Sequence, residues 1–203
     1  MPRYGNPCRR DSSTRGQTWN DNVKSRLEEI LAGNEVHAVG EVGLDYHYNF
    51  SPRSVQRKIF RAQVKLAKKY NLPLICHLRE AEEDFISIIK EEHLPDPPGV
   101  IHCYSSSPEY LDEFLSRGFY IGFTGIITFK KAGETRAALK QVPPASLLLE
   151  TDSPYMAPVP YRGKRCEPSY VILIAQAAAE LKNMSFHEIA KITTENLVKM
   201  LNI

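Results

Sequence analysis

From Val36 onward, short apolar runs alternate with stretches of helical period, and the runs end on or just before polar residues. The runs are Val36–Glu41, Pro73–His77, Val100–His102, Phe119–Phe123 and Leu147–Glu150. Ahead of the first, a helix is expected after Asn20 or Asp21, with Val23, Leu27, Ile30 and Leu31 on one face and Gly33 as its stop. Between the runs, Ser51 caps a helix with Pro52 at its first position and a buried stripe of Val55, Ile59, Ala62, Leu66 and Tyr70. Further helices are expected over Glu80–Glu92, after Ser107–Pro108, and over Gly133–Gln141, Pro168–Lys182 and Phe186–Leu201, the last opened by a Ser185/Glu188 capping box. Continuous apolar strands alternating with amphipathic helices imply parallel strands covered by helices. Two architectures satisfy this, a (β/α) barrel or an open doubly wound sheet. No GxGxxG or GxxxxGK[ST] loop follows any strand, which weakens the nucleotide-binding open sheet.

At 203 residues and 42% apolar content, the chain can build one sizeable core. We expect an irregular, mobile segment over residues 1–20 and one domain over residues 21–203. The net charge of +2 does not by itself announce a nucleic-acid partner. Arg3, Arg9, Arg10 and Arg15 outnumber Asp11 in the N-terminal segment, a faint hint of nucleic acid or nuclear import. Cys8, Cys76, Cys103 and Cys166 form no CxxC pair and read as free thiols of a reducing compartment. On a strand, Cys76 and Cys103 should point away from their neighbours His77 and His102. No run is long enough to span a membrane, so the expectation is an intracellular protein, cytoplasmic or nuclear.

The polar residues at the strand ends carry the functional signal. Along Val36–Glu41, Val36, Ala38 and Gly40 share one face, while His37, Val39 and Glu41 share the other. Glu41, His77, His102 and Asp152 all fall at or just beyond C-terminal strand ends, which converge on one face of a barrel. Each has an ordinary structural reading as a hydrogen-bonded or capping residue. Together they make a nitrogen–oxygen donor set suited to a divalent metal, and hydrolysis is the natural reaction class. Arg79 is either an anion clamp or a charge pairing with Glu82 or Glu83. Arg162, Lys164 and Arg165 add positive charge in the late loop.

The motifs GEVGLDY (Gly40–Tyr46), PLICHLRE (Pro73–Glu80), VIHCY (Val100–Tyr104), GFTGIITF (Gly122–Phe129), LLLETDSPYMAP (Leu147–Pro158) and RGKRCEP (Arg162–Pro168) occur in the order seen in TatD-like metal-dependent hydrolases. From Asn20 to the C-terminus the chain resembles that family, in wording nearest its animal TatD-domain members. The resemblance implies a TIM-type (β/α) barrel of the amidohydrolase kind, up to two divalent ions (Mg, Mn or Zn) and phosphodiester cleavage, with DNA favoured over RNA. It also implies that Glu41 bridges metals and that His77 and His102 are imidazole ligands. Asp152 would be a metal ligand that takes the proton from the attacking water, and Arg79 would lie near the substrate phosphate. Asp45, Glu150, Arg162 and Glu167 fall in supporting motif positions, and Cys166 stands where the family often has Asn.

The family's first strand ends in His-x-His, and two more strands precede the glutamate. This chain has no His-x-His. The region before Trp19 is too short for three more units, each needing roughly 30 residues. The expectation is therefore an incomplete barrel lacking about the first three βα units, with two open edges and an unfilled interior. One metal should be well held by Glu41, His77 and His102, and a second held weakly or not at all. A metal-dependent nuclease is the leading reading. The alternatives are an amide or lactone hydrolase on the same fold, and a catalytically weak scaffold that binds nucleic acid or a partner.

Overall fold

The computed structural model describes residues 19–33, 35–48 and 50–203. The expectation for the N-terminal segment therefore lies outside the described residues except at Trp19 and Asn20, and Cys8 lies outside them too. The order is α1 (Asp21–Leu31), β1 (Val39–Asp45), α2 (Arg53–Tyr70), β2 (Leu74–Arg79), α3 (Glu82–Glu91), β3 (Gly99–His102), α4 (Leu111–Leu115), β4 (Tyr120–Phe123), α5 (Gly133–Gln141), β5 (Leu147–Leu149), α6 (Val171–Lys182) and α7 (Phe186–Leu201). The five strands are parallel and pair in sequence order, β1-β2-β3-β4-β5. A doubly wound sheet reverses direction at a switch point. No reversal occurs here, so the sheet is the wall of a (β/α) barrel, with β1 and β5 as its edges among the described residues.

Most helix termini follow their sequence signals. Asn20 Oδ1 accepts from Val23 N–H at the start of α1. Ser185 and Glu188 bond reciprocally at the start of α7, closing the capping box. The cap of α2 is Pro52 rather than Ser51. Its buried face, which includes Gln56, Phe60, Gln63 and Val64, lies one position round from the expected stripe, and only Ile59 and Leu66 are common to both. On α1 only Leu31 is buried, while Val23 and Ile30 are exposed.

One face of the sheet packs against helices. Leu44, Leu74, Cys76, Ile101, Ile121 and Leu147 are buried there together with Phe60, Phe85 and Phe114. The rings stack at 4.8 Å (Phe60–Phe85) and meet edge-on at 5.9 Å (Phe85–Phe114). Truncating Phe85 would cost about 3–5 kcal/mol.

The other face, the inside of the wall, is incompletely filled. Val100, Leu148 and Met200 cluster there with Ile75 against them. An apolar groove of about 420 Å³ remains between these strand residues and Ile172, Ala190 and Leu197 of α6 and α7. The expected open interior is thus present. Among the described residues, no helix is long and apolar enough to cross a membrane.

Candidate metal centre

β1 does not follow the simple alternation expected of it. It starts at Val39 and runs on through Gly43 to Asp45. Gly40 is opposite Ile75 and Val42 is opposite Cys76, so Glu41 is the extra residue of a bulge. Strict alternation would keep Glu41 on the face of Val39, which is buried. The bulge turns it to the face of Gly40 and Gly43 instead. There its Oε1 lies 3.0 Å from His77 Nδ1. Gly43 has φ +138°, and a Cβ on it would fall 1.9 Å from the His77 carbonyl oxygen, so only glycine fits beside β2 at this point.

His77 does not end its strand. Leu78 and Arg79 continue β2 and pair with Leu44 and Asp45. The second ring nitrogen, Nε2, is 3.0 Å from Asp45 Oδ2. Asp45 is 3% exposed. Its other oxygen accepts from the backbone N–H groups of His47 and Tyr48, both at 3.0 Å. Its own backbone is clamped by Gln56, which accepts from Asp45 N–H at 2.9 Å and donates to Asp45 O at 3.0 Å. Burial opposes the charge on Asp45, but these hydrogen bonds and the nearby His77 and Arg79 hold its carboxyl below the usual range.

His102 repeats the arrangement with different partners. Its Nδ1 lies 2.5 Å from Glu150 Oε2, while Glu150 Oε1 accepts from Cys103 N–H at 2.7 Å. Gly122 makes room for this carboxylate, since a Cβ there would sit 2.3 Å from Glu150 Oε1. The remaining nitrogen, Nε2, faces Asp152 Oδ1 at 3.6 Å. Asp152 itself has φ +52°, a left-handed conformation just past β5 that turns the chain sharply.

Each imidazole is thus pinned on one nitrogen by a supporting carboxylate and presents the other to a second one. Burial favours the neutral rings. The carboxylates prevail, raising His77 above its ordinary value and His102 to about 10. Among the described residues, no three or more His, Cys, Asp or Glu side chains are placed so that they could hold a metal ion as they stand. The donor chemistry nevertheless fits a divalent ion. Two imidazole nitrogens and the Glu41 and Asp152 carboxylates face one cleft, and the carboxylate–histidine pairing is the usual support for metal-ligating histidines. A cation in the cleft would compete with protons for these ring nitrogens and carboxylate oxygens.

The cleft, of about 210 Å³, is lined by Glu41, His77, His102 and Asp152 and also by Arg79 and Tyr48. The Arg79 guanidinium sits 4.7 Å over the Tyr48 ring, and Glu82 accepts from Ser106 instead of pairing with Arg79. Ser105 and Ile126 form the wall shared with a second pocket of about 450 Å³, whose lining includes Lys131, Glu134 and Arg162. Arg162 stacks on Phe129 at 4.5 Å. Glu167 is exposed beyond the cleft lining, and its backbone caps the turn Pro168–Tyr170.

Cys103 corrects the expectation that its thiol points away from His102. The strand ends at His102, and Cys103 is left-handed with φ +50°, so alternation fails and Cys103 lines the cleft beside His102, its Sγ 3.4 Å from Thr124 Oγ1. Burial, partly offset by the Thr124 hydroxyl, pushes this thiol up to about 12. Tyr48, Cys103 and Ser105 line the cleft without having been singled out as site candidates from the sequence.

Comparison with known proteins fits this arrangement. The family described as TatD related DNase matches residues 7–202. The uncharacterized metal-dependent hydrolase YabD of Bacillus subtilis is 46% identical over 177 residues, covering 87% of this chain and 69% of that protein. The 3'-5' ssDNA/RNA exonuclease TatD of Edwardsiella piscicida is 38% identical over 183 residues, covering 88% and 70%. Among solved structures, the TatD homologue YJJV of Escherichia coli superposes with a TM-score of 0.85 at 32% identity, covering 91% of this chain and 72% of that one. With a TIM barrel-like wall, a matched profile over nearly its whole length and relatives named as metal-dependent hydrolases, the chain belongs to the TatD-related DNase family.

Proposed function

We propose that the protein hydrolyses phosphodiester bonds in nucleic acid, single-stranded DNA first and RNA second. The observation that carries this reading is the pair of carboxylate-pinned histidines, His77 and His102, facing Glu41 and Asp152 beside the Arg79 guanidinium. A divalent ion on Glu41, His77, His102 and Asp152 would supply the positive charge that acidifies water and polarises a phosphoryl oxygen. Asp45 and Glu150 keep the two rings in one orientation, with one nitrogen of each left for the site. Asp152 takes the proton from the attacking water. Arg79 binds a non-bridging oxygen of the phosphate and stabilises charge as the leaving oxygen departs. The adjoining pocket with Lys131 and Arg162 suits a flanking phosphate, and the exonuclease activity named for the Edwardsiella relative points the same way.

One ion should be held well, by Glu41, His77 and His102. Among the described residues of the cleft, Glu41 and Asp152 are the donors left for a second. The test is turnover of a single-stranded oligonucleotide by the purified chain with Mg²⁺, Mn²⁺ or Zn²⁺. Cleavage that EDTA abolishes supports the proposal. Metal-dependent turnover of a lactone or amide with DNA untouched would replace it with the other hydrolase reading. No turnover of any substrate by a folded, metal-loaded chain would leave the scaffold reading.

A further inference from the structure

The loop after β1 carries an exposed pair of rings at the mouth of the cleft. Tyr48 and Phe50 are 45% and 47% exposed. Their rings stack, 5.4 Å apart and 14° from parallel. Tyr48 is also a wall of the cleft and lies under the Arg79 guanidinium. Guanidinium and rings therefore form one continuous flat-faced cluster, running from the group that would bind the phosphate out to solvent.

Exposed aromatic side chains on loops are commonplace, but residues 45–48, which carry Tyr48 to the cleft, are tied down. Asp45, the residue that pins His77, also accepts from the Tyr48 backbone N–H. His47 Nδ1 lies 2.6 Å from Glu80 Oε1 just past β2. The Tyr46 hydroxyl donates to Asp84 Oδ2 at 2.5 Å, and Arg57 donates to the same oxygen at 2.9 Å. These contacts tie residues 46–48 to Asp45, Glu80 and Asp84, so the Tyr48 side of the pair needs little ordering when a ligand arrives.

We propose that Tyr48 and Phe50 form a stacking platform for the nucleobase attached to the phosphate in the cleft. This rests on the phosphodiester reading above and sharpens it. Aromatic stacking accepts any base, because every base has a π-face, but only when that face is uncovered. Inside a duplex both faces are covered by neighbouring pairs, and only a terminal pair leaves one face open. The platform therefore favours an unpaired or terminal base over an internal paired one, and does so without regard to sequence. Arg79 couples the two functions, since one guanidinium touches both the phosphate position and the platform.

The test uses the full chain and a short oligonucleotide with 2-aminopurine at the base beside the cleaved bond, alongside the same strand made abasic there. Phe50→Ala is the diagnostic variant because Phe50 lies outside the catalytic cleft, and Phe50→Leu keeps bulk without a π-face. The expected result is 2-aminopurine quenching on binding to the wild type and its loss in Phe50→Ala. Affinity should fall about 5- to 100-fold in Phe50→Ala, and Phe50→Leu should lie nearer Ala than wild type. The wild type should discriminate against the abasic strand by a similar factor, and Phe50→Ala should not. Equal binding of intact and abasic strands by the wild type would overturn the platform while leaving the phosphodiesterase reading in place. A wild type that neither binds nor cleaves any oligonucleotide would overturn both.

Discussion

Asp45 Oδ2 lies 3.0 Å from His77 Nε2, and that single contact decides which nitrogen of the ring faces the cleft. With Nε2 taken, Nδ1 is the atom presented toward Glu41. Asp45→Asn keeps the shape and removes the charge. Its amide can still meet the ring, but it no longer fixes the tautomer. The expected outcome is a loss of divalent-metal affinity of about 10- to 100-fold, read by calorimetric titration, with the fold intact by circular dichroism.

Glycines on either side of the site should separate stability from chemistry. At Gly122 an added methyl meets the end of the Glu150 side chain, which can move. Gly122→Ala should cost little in thermal stability, yet displace the carboxylate from His102 and lower metal affinity and turnover. At Gly43 the same methyl meets the backbone of His77, and φ is +138°. Gly43→Ala should lower stability by on the order of 3 kcal/mol, measured by denaturant unfolding.

Protonation of the histidines has a definite sign. His102 in the folded, metal-free chain is raised to about 10 by its carboxylate partners, which outweigh burial. A group raised in the folded state stabilises fully below its unfolded value of about 6.5, and the effect is lost as pH climbs toward 10. Metal-free protein should therefore lose stability across that alkaline window, as followed by thermal melts at successive pH values. Metal must displace the same protons. Binding at pH 7 should release about one to two protons, seen as a buffer-dependent enthalpy, and affinity should rise with pH.

His77, His102 and the Asp152 turn were legible as cleft residues because a parallel wall brings the C-terminal parts of its strands to one side, even though β2 runs two residues past His77. Glu41 was legible as a candidate, and it does line the cleft, but not by alternation, which alone puts it on the opposite face. The bulge that turns it needs the partner strand, which no local pattern encodes. The same holds for the carboxylates behind the rings. Asp45 is 32 residues from His77, and Glu150 is 48 residues from His102. Their roles follow from sheet register, not spacing. Cys103 was misread because a left-handed residue ends the alternation at the point where it was applied. The ranges of α6 and α7 were legible, but not that part of their surface lines an open groove.

That groove has a consequence in solution. Ile172 and Leu197 are 52% and 42% exposed along it, and contiguous apolar surface favours dye binding and self-association. Ile172→Glu with Leu197→Lys should reduce 8-anilinonaphthalene-1-sulfonate fluorescence and concentration-dependent association in sedimentation. Neither residue lines the metal cleft, so metal affinity should be unchanged.

The most direct test of the metal-dependent site is the turnover of single-stranded oligonucleotide by Asp152→Asn against wild type, both loaded with the same divalent ion and both checked for bound metal. Asn keeps the size of the side chain but cannot accept the proton. The expected result is a fall in turnover of about 100- to 10,000-fold, with at least one ion still bound through Glu41, His77 and His102. Wild-type turnover in Asp152→Asn, or equal turnover by metal-free wild type, would contradict the assignment of this cleft as the site of hydrolysis.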